Sequence, residues 1–203
     1  MIMEWLWPLA GFATVSCITP GPNNLLLTQS GARFGFRRSV PHVCGIAAGM
    51  GVMLLAVAGG LGSLFSALPW LQPLLRLGGT LYLLWLGYLV ATAPPLSRED
   101  GAATGVTPSP WLFHQAALFQ FINPKAWLMS ISMIGSFTLL GQEYWHSVAW
   151  LVAVFCLICL HSCLLWAQFG AQVGRWLRTP LAWRWFNGVM GGLTAACVVM
   201  IWH

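Results

Sequence analysis

The fold is decided by residues 144–174, which read YWHSVAWLVAVFCLICLHSCLLWAQFGAQVG without one Asp, Glu, Lys or Arg. An α-helix rises about 1.5 Å per residue, so about 20 apolar residues cross the hydrocarbon part of a bilayer. This run is long enough to cross a membrane as a helix. The rest of the chain has the same character.

The 203 residues are 58% hydrophobic and 6% charged, whereas a soluble domain has about 25% charged residues. This composition excludes a water-facing globular fold and favours an integral membrane protein. The apolar run after Glu4 continues past any cleavage point, so we expect no removable signal peptide. Charges and turn residues divide the chain into six predicted transmembrane helices, near residues 5–29, 40–66, 69–92, 112–139, 147–171 and 185–202.

A polar segment over residues 93–111, rich in Pro and Gly, separates two halves of three helices, residues 1–92 and 112–203. Three is odd, so the second half enters the membrane from the opposite side, as in an inverted-topology repeat. The sequence thus predicts one all-α membrane domain over residues 1–203. Chance similarity is the alternative to this repeat, which two matches favour: Ile18-Thr19-Pro20 with Ile122-Asn123-Pro124, and Gly78-Gly79 with Gly191-Gly192.

Basic residues fall mainly on one side of the predicted membrane. Only Arg76 is assigned to the opposite side. The positive-inside rule therefore places segment 93–111 in the cytoplasm and both termini in the periplasm of a bacterial inner membrane. The same rule accounts for the net charge of +5 without a nucleic-acid partner. The seven residues on the cytoplasmic side are Arg33, Arg37, Arg38, Arg98, Arg175, Arg178 and Arg184.

The first predicted helix contains the motif Thr19-Pro20-Gly21-Pro22-Asn23-Asn24. Proline lacks an amide donor and glycine has a low helix propensity, so we expect the helix to break near the bilayer centre. Unpaired backbone groups are tolerated at that depth only inside protein or beside a wet cavity. The break therefore predicts a binding site, and a packed proline kink is the alternative.

The fourth predicted helix contains Gln120-Phe121-Ile122-Asn123-Pro124-Lys125-Ala126-Trp127, in which a proline precedes the only cation near the midplane. A charge at that depth costs about 2.5–3.5 kcal/mol on insertion scales. No Asp or Glu lies within the predicted helices to pair with it. Two roles for Lys125 stay open: it binds a substrate carboxylate, or it binds carbonyls of the broken first helix.

Other signals are weaker. His161, in the fifth predicted helix, either relays protons or packs as a hydrogen-bonded residue. Together with His161, the cysteines Cys156, Cys159 and Cys163 suggest soft-metal ligation, although the spacing of the three cysteines also fits one ordinary helix face. We predict no disulfide framework, metal site or cofactor. Close helix approach is predicted at two small-xxx-small pairs, Gly45 with Gly49 and Gly188 with Gly192.

Both proline motifs, with Gly31-Ala32-Arg33-Phe34-Gly35-Phe36-Arg37-Arg38 after the first, resemble those of the LysE/RhtB family of amino-acid exporters. The resemblance covers essentially the whole chain and is greatest to the homoserine/threonine and cysteine/O-acetylserine efflux branches. It implies export of small amino acids driven by proton or ion gradients. The family's motif positions would be Pro20, Gly21, Pro22, Asn23, Asn123, Pro124 and Lys125.

We therefore predict a secondary transporter that exports small amino acids or related metabolites by alternating access, coupled to a proton or ion gradient. The main alternative is an exporter of metal or another inorganic ion. An enzyme is disfavoured because no acid–base pair, nucleophile triad or phosphate loop is found. The sequence leaves a monomer and a homodimer both open. The predicted substrate-binding residues are Thr19, Pro20, Gly21, Pro22, Asn23, Asn24, Gln120, Asn123, Pro124 and Lys125.

Overall fold

The computed structural model of the protein describes residues 2–63, 67–68, 70–94 and 109–202. Residues 66 and 69 of the predicted boundary at 66–69, and most of segment 93–111, lie outside these residues. The described part is helical and contains no strand. Short 3₁₀ turns cover Leu61–Ser63 and Gly141–Glu143. The α-helices are α1 (Ile2–Ile18), α2 (Pro22–Phe34), α3 (Phe36–Ala58), α4 (Leu71–Ala91), α5 (Phe113–Phe119), α6 (Pro124–Phe137), α7 (Tyr144–Trp176), α8 (Pro180–Ala196) and α9 (Val199–Trp202).

Both proline motifs interrupt their helices, as predicted. The first break is residues 19–21, between α1 and α2, and the second break is residues 120–123, between α5 and α6. A proline starts the helix after each break, Pro22 in α2 and Pro124 in α6. In the first turn of a helix the missing proline amide removes no intrahelical hydrogen bond, so both helices restart there.

Several predicted boundaries were wrong. Gly35, with φ of 81°, turns the chain directly from α2 into α3, so α3 begins at Phe36 and not near residue 40. Glycine adopts this left-handed conformation without a steric penalty. The fifth predicted helix extends to Trp176. An arginine at a helix end terminates the apolar run but not the helix. Boundaries predicted from the positions of charged residues therefore made these helices too short.

In the part of the chain that the structure describes, three helices are long and apolar enough to cross a membrane, Phe36–Ala58, Gln72–Ala91 and Gly141–Trp176, and Leu6–Ile18 is a shorter apolar helix. Large apolar side chains also lie outside the core. Trp85 is 54% exposed and Leu157 is 69% exposed. Such a surface would be costly in water and is typical of contact with lipid. The chain is therefore a multi-pass helical membrane protein, and the number of six crossings stays a prediction.

Glycines bring α2 and α7 into direct backbone contact. A Cβ atom at Gly170 would lie 2.0 Å from the Thr28 carbonyl oxygen, and one at Gly174 would lie 2.3 Å from that of Ala32. These contacts advance in the same direction along both helices, so α2 and α7 run parallel. Beside them, α1, α3, α6 and α7 enclose the larger apolar core around the fully buried Phe155.

The predicted close approach at Gly45 and Gly49 is confirmed. A Cβ atom at Gly45 would lie 2.3 Å from the Phe113 oxygen, and one at Gly49 would lie 2.6 Å from that of Ala117, so α3 and α5 are also parallel. The prediction for Gly188 and Gly192 was wrong. Among the described residues a Cβ atom at either position has no neighbour within 4 Å, because both glycines lie on an exposed face of α8.

Helices α4 and α8 cross through two other glycines. A Cβ atom at Gly87 would lie 2.7 Å from the Gly191 oxygen and 3.1 Å from Cβ of Ala195. A Cβ atom at Gly191 would lie 2.4 Å from the Gly87 oxygen and 2.7 Å from Cβ of Ala91. The later residue of α4, Ala91, therefore contacts the earlier residue of α8, Gly191, while Gly87 contacts Ala195. The two helices are antiparallel. Gly191 packs against Gly87 and not against Gly78 or Gly79.

The arginine-rich junctions lie at one end of the bundle. The end of α2 adjoins the end of α7, as the contact between Ala32 and Gly174 shows. At the same end, Arg33 donates from Nη1 to the Pro94 oxygen at 3.1 Å. At the opposite end the Tyr144 hydroxyl donates to the Ala58 oxygen at 2.7 Å and joins α7 to α3.

Candidate functional site

The first break is held by side chains that replace the missing backbone donors. Asn24 is buried, and its Nδ2 donates to the carbonyl oxygens of Cys17 at 2.9 Å and Thr19 at 3.0 Å. The Ser162 hydroxyl of α7 donates to the same Cys17 oxygen at 3.0 Å. The carbonyls at the end of α1 therefore have hydrogen-bond partners, and the bond from Ser162 anchors the first break to α7.

The second break is closed by its own neighbours. Asn123 caps α6, because its Oδ1 accepts from the Lys125 amide at 3.2 Å. The Trp127 indole donates to the Phe121 oxygen at 2.9 Å. This arrangement fixes the first turn of α6 and, with it, the position from which the Lys125 side chain starts.

The two breaks are joined by a reciprocal amide pair. Asn23 donates from Nδ2 to Oε1 of Gln120 at 2.8 Å, and Gln120 donates from Nε2 to Oδ1 of Asn23 at 3.2 Å. Gln120 is completely buried and also donates to the Ala116 oxygen at 2.8 Å. The sequence predicted both residues as substrate ligands, and the structure pairs them with each other.

Lys125 reaches from the second break to the first. Its Nζ donates to the Thr19 carbonyl oxygen at 2.6 Å. Gly21 makes room for this side chain, since a Cβ atom there would lie 2.9 Å from Cδ and 3.1 Å from Nζ of Lys125. Lys125 is the only lysine of the chain, and no carboxylate among the described residues pairs with it. Of the two roles left open by the sequence, the structure shows the contact with the broken helix.

A cavity lies where the two breaks meet. Both helix starts line it, α2 with Pro22, Asn23 and Asn24, and α6 with Lys125 and Ala126. Its volume is about 30 Å³, which is room for about two water molecules. The remaining lining residues are Ser16, Cys17, Gly21, Ile46, Met50, Asn123, Met129, Phe155, Cys159 and Cys163.

Four of the predicted residues do not line this cavity. Thr19 and Pro20 are exposed, and Thr19 contributes only its carbonyl oxygen to the contact with Lys125. Gln120 acts through Asn23, and Pro124 starts α6. The other six predicted residues all belong to the lining: Gly21, Pro22, Asn23, Asn24, Asn123 and Lys125.

His161 lies away from the cavity. It is exposed on α7 and lines a separate surface groove with Thr14 and Ile18. Its role as a proton relay stays a prediction.

Sequence reasoning missed several residues of the cavity. Cys159 and Cys163 belong to the predicted cysteine face, but Cys156 points elsewhere and its thiol donates to the Ala47 oxygen at 3.6 Å. No signal in the sequence indicated Met50 or Met129. Among the described residues no group of three or more Cys, His, Asp or Glu side chains has the arrangement of a metal site, so the cysteines do not support the alternative of a metal exporter.

These features define a class of protein: a multi-pass helical membrane protein in which two interrupted helices meet at a cavity that contains an ammonium and three asparagines, as in membrane carriers. The profile of the LysE type translocator family matches residues 14–201. The chain therefore belongs to the LysE type translocator family. It is a transport protein and not an enzyme, as the sequence predicted.

Curated relatives match along almost the entire chain. The cysteine/O-acetylserine efflux protein of Escherichia coli O1:K1 / APEC is 30% identical over 195 residues, which are 95% of this chain and 94% of that protein. The proteins of the same name from Escherichia coli strain K12 and Shigella flexneri serotype 5b (strain 8401) are 29% identical over the same shares. No solved structure matches the chain.

Proposed function

We propose that the protein exports small neutral amino acids of the cysteine and O-acetylserine class from the cytoplasm. The substrate class follows the names of the relatives, and the mechanism is alternating access coupled to a proton or another ion gradient. The observation that carries the proposal is the ammonium of Lys125, which bridges both breaks and whose one hydrogen bond to the described residues is with a neutral carbonyl.

The electrostatics of the cavity favour a carboxylate. The bond to Thr19 leaves the charge of Lys125 unbalanced, because no carboxylate of the described residues lies nearby. The N-terminal ends of α2 and α6 line the same cavity, and a helix N-terminus carries about half a positive charge. Two such ends and one ammonium attract an anionic group and give it donors to bind.

An amino acid can replace the contact between Lys125 and the Thr19 oxygen with two contacts of its own, one for each of its charges. Its carboxylate is a stronger acceptor for Lys125 than the Thr19 carbonyl. Once Lys125 has turned to the carboxylate, the ammonium of the substrate replaces it at the Thr19 oxygen. Asn24 keeps its own bond to that oxygen, so the first break stays intact. This exchange fits a zwitterion better than a simple anion.

The small volume of the cavity supports a mechanism with moving helices. About 30 Å³ holds water but not an amino acid. Binding therefore requires α2 or α6 to shift, and the breaks are the points where such a shift needs no bending of a continuous helix. The pair of Asn23 and Gln120 links the two movable parts.

The packing of the helices supports the inverted repeat. Six alternating crossings make the first parallel to the fifth, the second parallel to the fourth, and the third antiparallel to the sixth. The observed pairs follow this rule: α2 with α7, α3 with α5, and α4 with α8. The reciprocal contact of Gly87 with Gly191 is also what a twofold relation between the halves would produce.

The distribution of charge supports the direction of export. The described arginines at the junctions of α2 with α3 and of α7 with α8 share one end of the bundle. The positive-inside rule makes that end cytoplasmic, which leaves both termini in the periplasm of an inner membrane.

Transport by purified protein in proteoliposomes tests the proposal. We expect export of O-acetyl-L-serine by the wild type, and at least a roughly tenfold lower rate for Lys125→Ala, because a charge-assisted hydrogen bond contributes about 1.5–3 kcal/mol. Arg184→Ala is the matched control, since Arg184 is an exposed cation of α8 outside the cavity. Near-normal flux in Lys125→Ala would remove the lysine from the mechanism. A protonophore that leaves flux unchanged would exclude proton coupling.

A further inference from the structure

We infer that five sulfur-containing side chains form the side-chain pocket of the substrate and determine which amino acids the protein accepts. This inference rests on the proposed function, since the ligand is taken to be an amino acid. We call these residues the sulfur pocket: Cys17, Met50, Met129, Cys159 and Cys163.

Sulfur is concentrated around the cavity. The chain has six Cys and eight Met among 203 residues, yet five of the fifteen residues lining the cavity are Cys or Met. They come from four different helices, α1, α3, α6 and α7, so the spacing of one helix face does not explain the cluster. The fold brings them together at one place.

The sulfur pocket adjoins the polar groups that would bind the charged end of the substrate. Cys17, Cys159 and Cys163 belong to one buried cluster. They line the same cavity as Lys125 and Asn24. With its carboxylate on Lys125, an amino acid therefore has the sulfur pocket within reach of its side chain.

The chemistry of sulfur selects among side chains. Thiols and thioethers are polarizable and pack well, but they are weak hydrogen-bond partners. A hydroxyl buried among them loses its bonds to water without an equal replacement, and a charged group loses far more. A methyl group does not carry this penalty, and a thiol or an ester carries a smaller one because a thiol bonds weakly to water and an ester has no donor to leave unpaired. We expect acceptance of small neutral side chains of the latter kinds and rejection of hydroxyl and charged ones.

L-cysteine and L-serine form the sharpest pair of probes, because they differ only in sulfur against oxygen. In proteoliposomes under reducing conditions, the wild type should export L-cysteine in preference to L-serine. The double substitution Cys159→Ser with Cys163→Ser gives a serine hydroxyl partners in the pocket. It should lower the ratio of cysteine to serine transport by about tenfold or more, the range expected for one group in a binding pocket.

Cys156→Ser is the matched control. Cys156 lies on the same helix but outside the cavity, with its thiol on the Ala47 oxygen, so this variant should keep the wild-type ratio. An unchanged ratio in the double variant would overturn the sulfur pocket, and so would an equal change in Cys156→Ser. Failure of the proposed function is distinct: the wild type would then export neither amino acid.

Thiol labelling of the wild-type protein tests the same inference without a substitution. A small methanethiosulfonate reagent is applied with and without O-acetyl-L-serine, and each labelled cysteine is quantified by mass spectrometry. The substrate should slow labelling at Cys159 and Cys163 but not at Cys44, which is exposed on α3. Equal labelling with and without substrate at both pocket cysteines would overturn the inference.

Discussion

The substitution Gly21→Ala should reduce transport about tenfold or more while the protein remains folded. A Cβ atom at this position would lie 2.9 Å from Cδ and 3.1 Å from Nζ of Lys125. Both atoms belong to the flexible end of a side chain, so the lysine moves aside and the backbone stays in place. The φ of −165° at Gly21 is an extended conformation that alanine also adopts, so no backbone strain is added.

The magnitude follows from the position that the Lys125 ammonium loses, from which it bonds to Thr19 at rest and would bond equally strongly or better to a substrate carboxylate. Its ammonium donates to the Thr19 oxygen at 2.6 Å, and a hydrogen bond from a charged group contributes about 1.5–3 kcal/mol. This corresponds to a change of about ten- to a hundredfold in an equilibrium constant. The same displacement also moves the ammonium from the place where a carboxylate would bind between α2 and α6.

Rates of O-acetyl-L-serine export from proteoliposomes, with the thermal unfolding midpoint of each variant, measure this effect. Gly78→Ala is the control, because a Cβ atom at Gly78 has no neighbour within 4 Å. We expect both variants to remain folded, and we expect a midpoint lower by a few degrees and a transport defect in Gly21→Ala only. Wild-type flux in Gly21→Ala, or an equal loss in Gly78→Ala, would refute the reasoning about the Lys125 contact.

Three further predictions concern the assembly of the protein. Gln120→Ala leaves the Asn23 amide unpaired, so the unfolding midpoint should fall, and a double-mutant cycle with Asn23→Ala should give a coupling of about 1 kcal/mol; additive effects would contradict the pair. Gly170→Leu should abolish a single folded peak in size-exclusion chromatography, because Cβ would lie 2.0 Å from the Thr28 oxygen. Gly188→Leu, with no neighbour within 4 Å, should retain the peak. Alkaline phosphatase fused to either terminus should be active in cells, and a fluorescent cytoplasmic reporter at the C-terminus would contradict the proposed topology.

Local chemistry explains which features could be predicted from the sequence. The helix breaks follow from the missing amides of Pro20, Pro22 and Pro124, and membrane insertion follows from the scarcity of charge. Each depends on residues close together in the chain. The contact of Lys125 with the first break was one of two alternatives, since a buried ammonium needs a partner but the sequence does not tell which one.

Features that depend on the packing of distant segments could not be predicted. Asn23 and Gln120 are 97 positions apart, and both looked equally suited to bind a ligand. The face of Cys156, Cys159 and Cys163 was recognised as one helix stripe, but only the position of α3 against α7 shows that Cys156 is turned away. The glycines illustrate the same limit, because Gly45 faces a neighbouring helix and Gly188 does not.

The narrowness of the chamber between the breaks has a consequence for throughput. A space that admits only about two water molecules must be rebuilt for every molecule of cargo. The transport rate should then saturate with substrate concentration and rise steeply with temperature, like the turnover of an enzyme. Electrical recording from single molecules would show no channel-like conductance, and a cell could produce many copies without dissipating its membrane potential.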